Sequence, residues 1–306
     1  MFDSKSTESI VSYAKELKGN TLRKKCIEEI ENHGYKGKGN FGQLLEKFYF
    51  GYEPNSKAEA DFVEVGMELK TSPLKTLQSG EYRSKERLVL NIINYLEVHK
   101  QNFEQSSFWK KNSHLLLIFY LYDKEENLLD YVIKLVDDWE YPKQDLLIIK
   151  RDWEFINQKI KDGKAHELSE GDTFYLGACT KGSTAEKSLR KQPFNNVKAK
   201  QRAYSLKQGY VNHIIANISC EERFVYGKII NQEIIDEHSL SIEEIVISKF
   251  TPFYGKSSIE IEEHFNLELN RKAKSYYANL TKAILGIELS KKIEEFEKAD
   301  IQVKTI

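Results

Sequence analysis

From Leu115 to Leu121 the chain reads Leu-Leu-Leu-Ile-Phe-Tyr-Leu, an apolar run with no charged residue in it. A strand packed on one face alternates apolar with polar residues, whereas a short unbroken run is what a strand buried on both faces requires. Such a strand cannot stand at a wet surface, so the chain must build a sheet covered by helices on both sides. Tyr131 to Val136 is the expected neighbouring strand and Phe174 to Cys179 a further one, while Asp145 to Lys161 reads as a helix and residues 6–32 as amphipathic helix. The expected fold is therefore α/β (α+β), a mixed β-sheet flanked by helices.

Chemistry concentrates just ahead of that run. In Asp61 to Thr71, Met67, Leu69 and Thr71 alternate with Glu68 and Lys70. Side chains of a strand alternate between faces, so Glu68 and Lys70 share one. Gly66 permits a bend or bulge that would return Asp61 to the side of Glu68. Two carboxylates so close repel unless a cation lies between them, and an oxygen-only donor set suits Mg²⁺. Lys70 could then orient a water and offset charge growing on a phosphate, which is chemistry for cutting a phosphodiester. An E-x-K pair alone is more often a solvated ion pair worth about 0–1 kcal/mol, so the pattern needs company.

Company stands upstream. Asn40 and Gln43 have the spacing of an N-cap and its reciprocal partner, with Phe41, Leu44, Leu45 and Phe48 on one helical stripe and Glu46 projecting off it. By itself Glu46 is an ordinary exposed helix carboxylate. However, G-Q-L-L-E at Gly42 to Glu46, the S-K-x-x-x-D-F run ending at Phe62, and G-x-E-L-K-T-x-P from Gly66 to Pro73 occur in an order and spacing that resemble the MutH branch of the PD-(D/E)-x-K endonucleases. That branch includes a mismatch-repair nicking enzyme and GATC-cutting type II restriction enzymes built from two MutH-like domains. Ser84 to Tyr95, Lys164 to Gly171 and Ala199 to Lys207 resemble the restriction branch most, and the likeness covers roughly Ser4 to Ala216.

The resemblance implies a restriction-endonuclease-like core in which Asp61, Glu68 and Lys70 form the catalytic triad. It makes Glu46 an additional acid near the metal, so that Asp61, Glu68 and Glu46 are the Mg²⁺ ligands. Lys111 is implied as a further active-site lysine, with Lys110 beside it as the alternative.

The whole chain is nearly neutral, with 46 Lys and Arg against 47 Asp and Glu. Locally it is not. From Thr180 to Tyr210 the cations Lys181, Lys187, Arg190, Lys191, Lys198, Lys200, Arg202 and Lys207 face the single acid Glu186. A charge run is usually a solvated face, but one of this density can also neutralise phosphates and gain affinity by counterion release. By resemblance, Arg202 to Lys207 is the groove-reading segment of a protein that binds double-stranded DNA. Lys181, Lys198, Lys200, Arg202, Tyr204, Ser205 and Lys207 are the expected DNA-binding residues.

The remaining features exclude more than they identify. No apolar run approaches the ~20 residues of a membrane span, so no membrane partner is expected. Cys26, Cys179 and Cys220 have neither metal spacing nor an even count, and a reducing cytoplasm is the expected location. The glycines of Gly34 to Gly39 are followed by no G-K-[ST] and read as a connector. Ser257 to Leu285 has no distinctive turn that would mark a helix-turn-helix.

A second copy of the acidic pattern follows. Aligning Gly286 with Gly51 sets Thr281 opposite Glu46, and Glu295, Gln302 and Lys304 opposite Asp61, Glu68 and Lys70. Gln302 and Thr281 supply no charge, so this copy is too weakly acidic to hold Mg²⁺. Residues 1–222 are thus expected to be the endonuclease domain. Residues 223–306 are read as a helical connector, Ile234 to Phe250, followed by the start of a degenerate second repeat that is cut short within its strand. The expected activity is that of a Mg²⁺-dependent type II restriction endonuclease at GATC, a possible homodimer on DNA with no obligate protein partner. The alternatives are a nickase at hemimethylated GATC and a non-catalytic DNA-binding module.

Overall fold

The structure, a computed structural model, describes every residue except Met1, 33–39, 55–58, 183, 185–187, 220–225, 231–240 and 305–306. The glycine connector, Glu186, Lys187, Cys220, the expected boundary near residue 222 and the first part of the Ile234 to Phe250 helix lie outside the described residues.

Nine strands make the body: β1 (Met67–Thr76), β2 (Tyr82–Ser84), β3 (Leu88–Ile92), β4 (His114–Leu121), β5 (Ile133–Glu140), β6 (Leu176–Thr180), β7 (Leu189–Gln192), β8 (Asn195–Lys200) and β9 (Arg202–Leu206). The main sheet has the order β2-β1-β4-β5, with β1 and β4 parallel and the other pairs antiparallel. A second sheet, β3-β9-β6, is antiparallel, and β7 with β8 forms a separate ribbon.

β4 divides the core as its composition requires. Leu115, Leu117 and Phe119 face one cluster with Ile149, Trp153 and Ile156 of the helix Lys143–Lys161 and with Leu176, Tyr204 and Tyr210. Leu116 and Ile118 face the other, against Met67, Leu69, Phe41, Phe48 and the N-terminal helix residues Ile10, Val11 and Leu17. Burying each such side chain contributes about 1.5–3 kcal/mol, which makes this double coverage the main support of the sheet.

The N-terminal segment is helical but broken into Thr7–Lys15, Leu22–Lys25 and Ile27–Asn32. The break falls at Gly19, whose φ of 80° lies in the left-handed region and whose N–H reaches Ile133 O at 2.8 Å. One long helix would have lost that tie to β5.

The C-terminal part corrects one expectation. Glu295 to Lys304 is not a strand: Glu294–Lys298 is a short helix, and Ile301 to Lys304 join no ladder among the described residues. β1 is a strand because β2 and β4 flank it, whereas among the described residues no strand lies beside 301–304. Other parts of the two copies do match locally. Gly51 and Gly286 have φ of 77° and 75°, and Gly66 and Asp300 have φ of 64° and 56°.

The tail also packs on the body. Leu285, Ile287, Phe296 and Ala299 share the core cluster of Tyr210, Val211 and Ile214. Lys298 is buried and donates to Asp145 at 2.7 Å, and Asp300 accepts from Gly209 N at 2.8 Å. Glu295 accepts from the backbone N–H groups of Ile229 and Ile230.

Candidate active site

Asn40 caps the helix Phe41–Leu44 through a reciprocal bond with Gln43, as the spacing predicts. The helix then widens into a π-turn, Leu45–Tyr49, a conformation frequent at functional sites, and this turn carries Glu46. Downstream, a 3₁₀ turn at Val63–Val65 and the left-handed Gly66 fold Phe62 back onto Met67. The bend has the consequence expected of it: Asp61 N donates to Glu68 Oε2 at 3.2 Å, and Leu69 N to Asp61 Oδ2 at 3.0 Å.

Glu68 is 2% exposed, and its Oε1 receives Lys70 Nζ at 2.5 Å and Lys111 Nζ at 3.4 Å. Lys111 also donates to Glu59 O at 3.1 Å, whereas Lys110 is exposed. Lys111 comes from the helix Ser107–Asn112, which leads directly into β4, and β4 pairs with β1 so that Leu115 lies opposite Glu68. Two adjacent parallel strands therefore hold Asp61, Glu68, Lys70 and Lys111 together.

All five residues line one open cleft of about 1180 Å³, with Asn40, Gln43, Thr71, Arg87, Asn91 and Lys181 on its walls. Glu46 is pushed up to about 7, by burial first and then by the charges of Asp61 and Glu68, against the pull of Lys70 and Lys111. Burial also raises Glu68, with Lys70 opposing. This crowding of carboxylates is what a bound cation would relieve.

The donor set suits a hard, oxygen-preferring divalent ion, since among the described residues no histidine or cysteine lines the cleft. As the side chains stand, with both lysines turned onto Glu68, no three ligating groups among the described residues converge at metal distance.

A pH dependence follows from Glu46. Because its folded-state value lies above the usual 4.5, the folded protein holds a proton there between about 4.5 and 7. Without a divalent ion its contribution to stability falls as pH rises through that window. An ion held by Glu46 would displace this proton, and on that footing Mg²⁺ or Mn²⁺ affinity measured by calorimetry is expected to rise about tenfold from pH 6 to pH 8. In Glu46→Gln the slope should largely vanish; a parent whose affinity is flat with pH would remove Glu46 from the ligand set.

The basic segment is distributed differently from the expectation. Lys181 lines the cleft. Lys198 and Lys200 are exposed on β8, and Ser205 with Lys207 lines a neighbouring hollow of about 480 Å³ beside Lys85 and Arg87. Lys207 is also tied to Thr173 O. Arg202 and Tyr204 need correction as groove readers. Arg202 is 8% exposed and spends its guanidinium on the carbonyls of Ala178 and Leu168, and Tyr204 is 1% exposed. A cation in an interior strand serves carbonyls that would otherwise lack donors. Sequence reasoning missed Arg87 and Asn91. They line the cleft with Val89, Leu90 and Ile92, and the register shift between Val89 and Ile92 leaves no period-2 signal that would have announced them.

Residues 50–152, running from before Asp61 through β1, β4 and β5, match the family model described as DNA mismatch repair enzyme MutH, and they belong to a mixed α/β fold. The chain is similar to proteins described in such terms over much of its length. It is 44% identical over 280 residues to the type II restriction enzyme Sau3AI of Staphylococcus aureus, covering 89% of this chain and 56% of that enzyme. It is 30% identical over 134 residues to the DNA mismatch repair protein MutH of Shewanella amazonensis, covering 44% of this chain and 58% of the relative. The MutH protein of Vibrio vulnificus is 26% identical over 203 residues, 65% of this chain and 83% of the relative. The chain thus spans little more than half the length of the first two, 56% and 58%.

Proposed function

We propose that this chain is a Mg²⁺-dependent type II restriction endonuclease that hydrolyses phosphodiesters in double-stranded DNA, with GATC as its site. The observation that carries this reading is the convergence of Asp61, Glu68, Lys70, Lys111 and Glu46 on one cleft wall. Asp61, Glu68 and Glu46 would hold Mg²⁺, which when bound supplies Lewis acidity toward the phosphate and lowers the pKa of a bound water. Lys70, released from Glu68, orients the nucleophilic water, and Lys111 offsets charge on the phosphate. Lys181, Lys198, Lys200, Ser205 and Lys207 supply the contacts to DNA, the exposed lysines mainly through phosphates.

One such cleft cuts one strand, so a double-strand break takes two copies on DNA or a second encounter. Residues 1–222 are the endonuclease domain in this reading, and residues 223–306 a connector with the opening of a non-catalytic second repeat. The protein would work in the cytoplasm without an obligate protein partner; among the described residues no helix is long and apolar enough to cross a membrane.

The decisive assay compares unmethylated, hemimethylated and fully methylated GATC duplexes in Mg²⁺ with no other protein added. Cleavage of both strands of the unmethylated duplex is expected. The match of residues 50–152 to the mismatch-repair model favours one second reading, a nickase. Nicking confined to the unmethylated strand of hemimethylated sites would establish it in place of ours, and binding without any cleavage would point to a DNA-binding module.

A further inference from the structure

β3 is out of step with its partner. Val89 lies opposite Ser205 and Ile92 opposite Ala203, so β3 carries an extra residue between them, a β-bulge. Bulges re-aim side chains, and Asn91, within this one, lines the catalytic cleft with Glu68, Lys70 and Lys111.

Behind Asn91 stands Asn112, which is 0% exposed and donates its Nδ2 to Phe108 O at 2.8 Å and to Asn91 Oδ1 at 3.0 Å. A backbone carbonyl only accepts, so Phe108 O fixes which end of the Asn112 side chain is the amide. Asn112 in turn fixes Asn91 with its oxygen inward. The Asn91 amide is left with one long contact, 3.5 Å to Ile92 O, and so with donor capacity to spare at the cleft. Asn112 also follows Lys111 directly and closes the same helix, so one buried amide sets the positions of both cleft residues.

We propose that Asn91 donates a hydrogen bond to a non-bridging phosphate oxygen of the DNA strand lying in the cleft, and that Asn112 is the positioning residue that aims it. This assignment rests on the endonuclease reading above. A phosphate oxygen only accepts, which matches a side chain whose own acceptor is already spent. Arg87, just ahead of this strand, is engaged by Glu170, and Asn91 is the neutral donor that β3 offers.

The test uses GATC duplexes that each carry one neutral methylphosphonate at a successive backbone position, with affinity measured in Ca²⁺. Asn91→Asp keeps the acceptor that Asn112 needs and removes the cleft-facing donor, and Asn91→Ala removes the donor without adding charge. Hydrogen bonds to charged groups contribute enough that the parent is expected to lose about tenfold in affinity at one methylphosphonate position. Both variants should lose affinity for the unmodified duplex and show no further loss at that position, while the other positions keep the parent's penalties. If both variants instead retain the parent's full position profile, the Asn91 assignment is overturned. A parent that binds no GATC duplex overturns the endonuclease reading itself.

Discussion

Glu68→Ala and Lys70→Ala are each expected to slow duplex cleavage in Mg²⁺ by on the order of 10³-fold, while duplex binding in Ca²⁺ survives. The two losses should have different origins. Glu68 is nearly buried, binds both lysines and receives the N–H of Asp61, so its removal takes away a ligand and leaves two cations facing one another. Divalent affinity should fall along with the rate. Lys70 ligates nothing, and its removal frees Glu68 Oε1 of one of its two lysines. Lys70→Ala should therefore bind divalent ions at least as well as the parent and still fail at the chemical step. Calorimetry with Mn²⁺ beside single-turnover cleavage separates the two cases. Cleavage at the parental rate by either variant would put the reacting centre elsewhere.

The largest stability effect is expected away from the cleft, at Asp152. This carboxylate is 3% exposed and accepts from the N–H groups of Phe174, Tyr175 and Leu176 at 2.9, 2.6 and 2.8 Å, pinning the entry to β6 onto the helix Lys143–Lys161. Asp152→Ala leaves those donors without a partner and should cost about 3–5 kcal/mol, read as a fall in Tm of about 8–15 °C. Burial pushes the Asp152 carboxyl up to about 6 from 3.8, so the folded state binds its proton more tightly than the unfolded chain between those values. The carboxyl's contribution therefore shrinks as pH rises through that window. Asp152→Asn should recover part of the loss, and its deficit against the parent should be larger at pH 4 than at pH 7. A deficit that grows with pH would mean the group is ionised throughout.

Local patterns announced most of the cleft wall. The apolar run became β4 because nothing polar could tolerate both its faces, and the Asn40 and Gln43 spacing became a capping box because a helix start always leaves N–H groups to satisfy. Gly66 folded Asp61 onto Glu68 because a left-handed residue at that point allows only a tight return. What depends on distant chain was less legible. Arg202 reads as a DNA cation by composition, yet it ends among the carbonyls of Leu168 and Ala178, which no local pattern places beside it. Glu295 to Lys304 has the residue order of β1 but, among the described residues, no neighbouring strand, and a strand exists only by pairing. Asn91 was missed because a β-bulge is a property of two strands, and only one of them contains it.

The parallel pairing of β1 with β4 has a mechanical meaning. Glu68 and Lys70 lie on rungs of that ladder, while the Phe62–Met67 bridge ties Asp61 to its start and the helix carrying Lys111 ends just before β4. Glu46 stands on a different element, the π-turn packed with the N-terminal helices. An ion held by acids from both would be a latch as well as a reagent, tying the two halves of the cleft together at the moment the strand is to be cut.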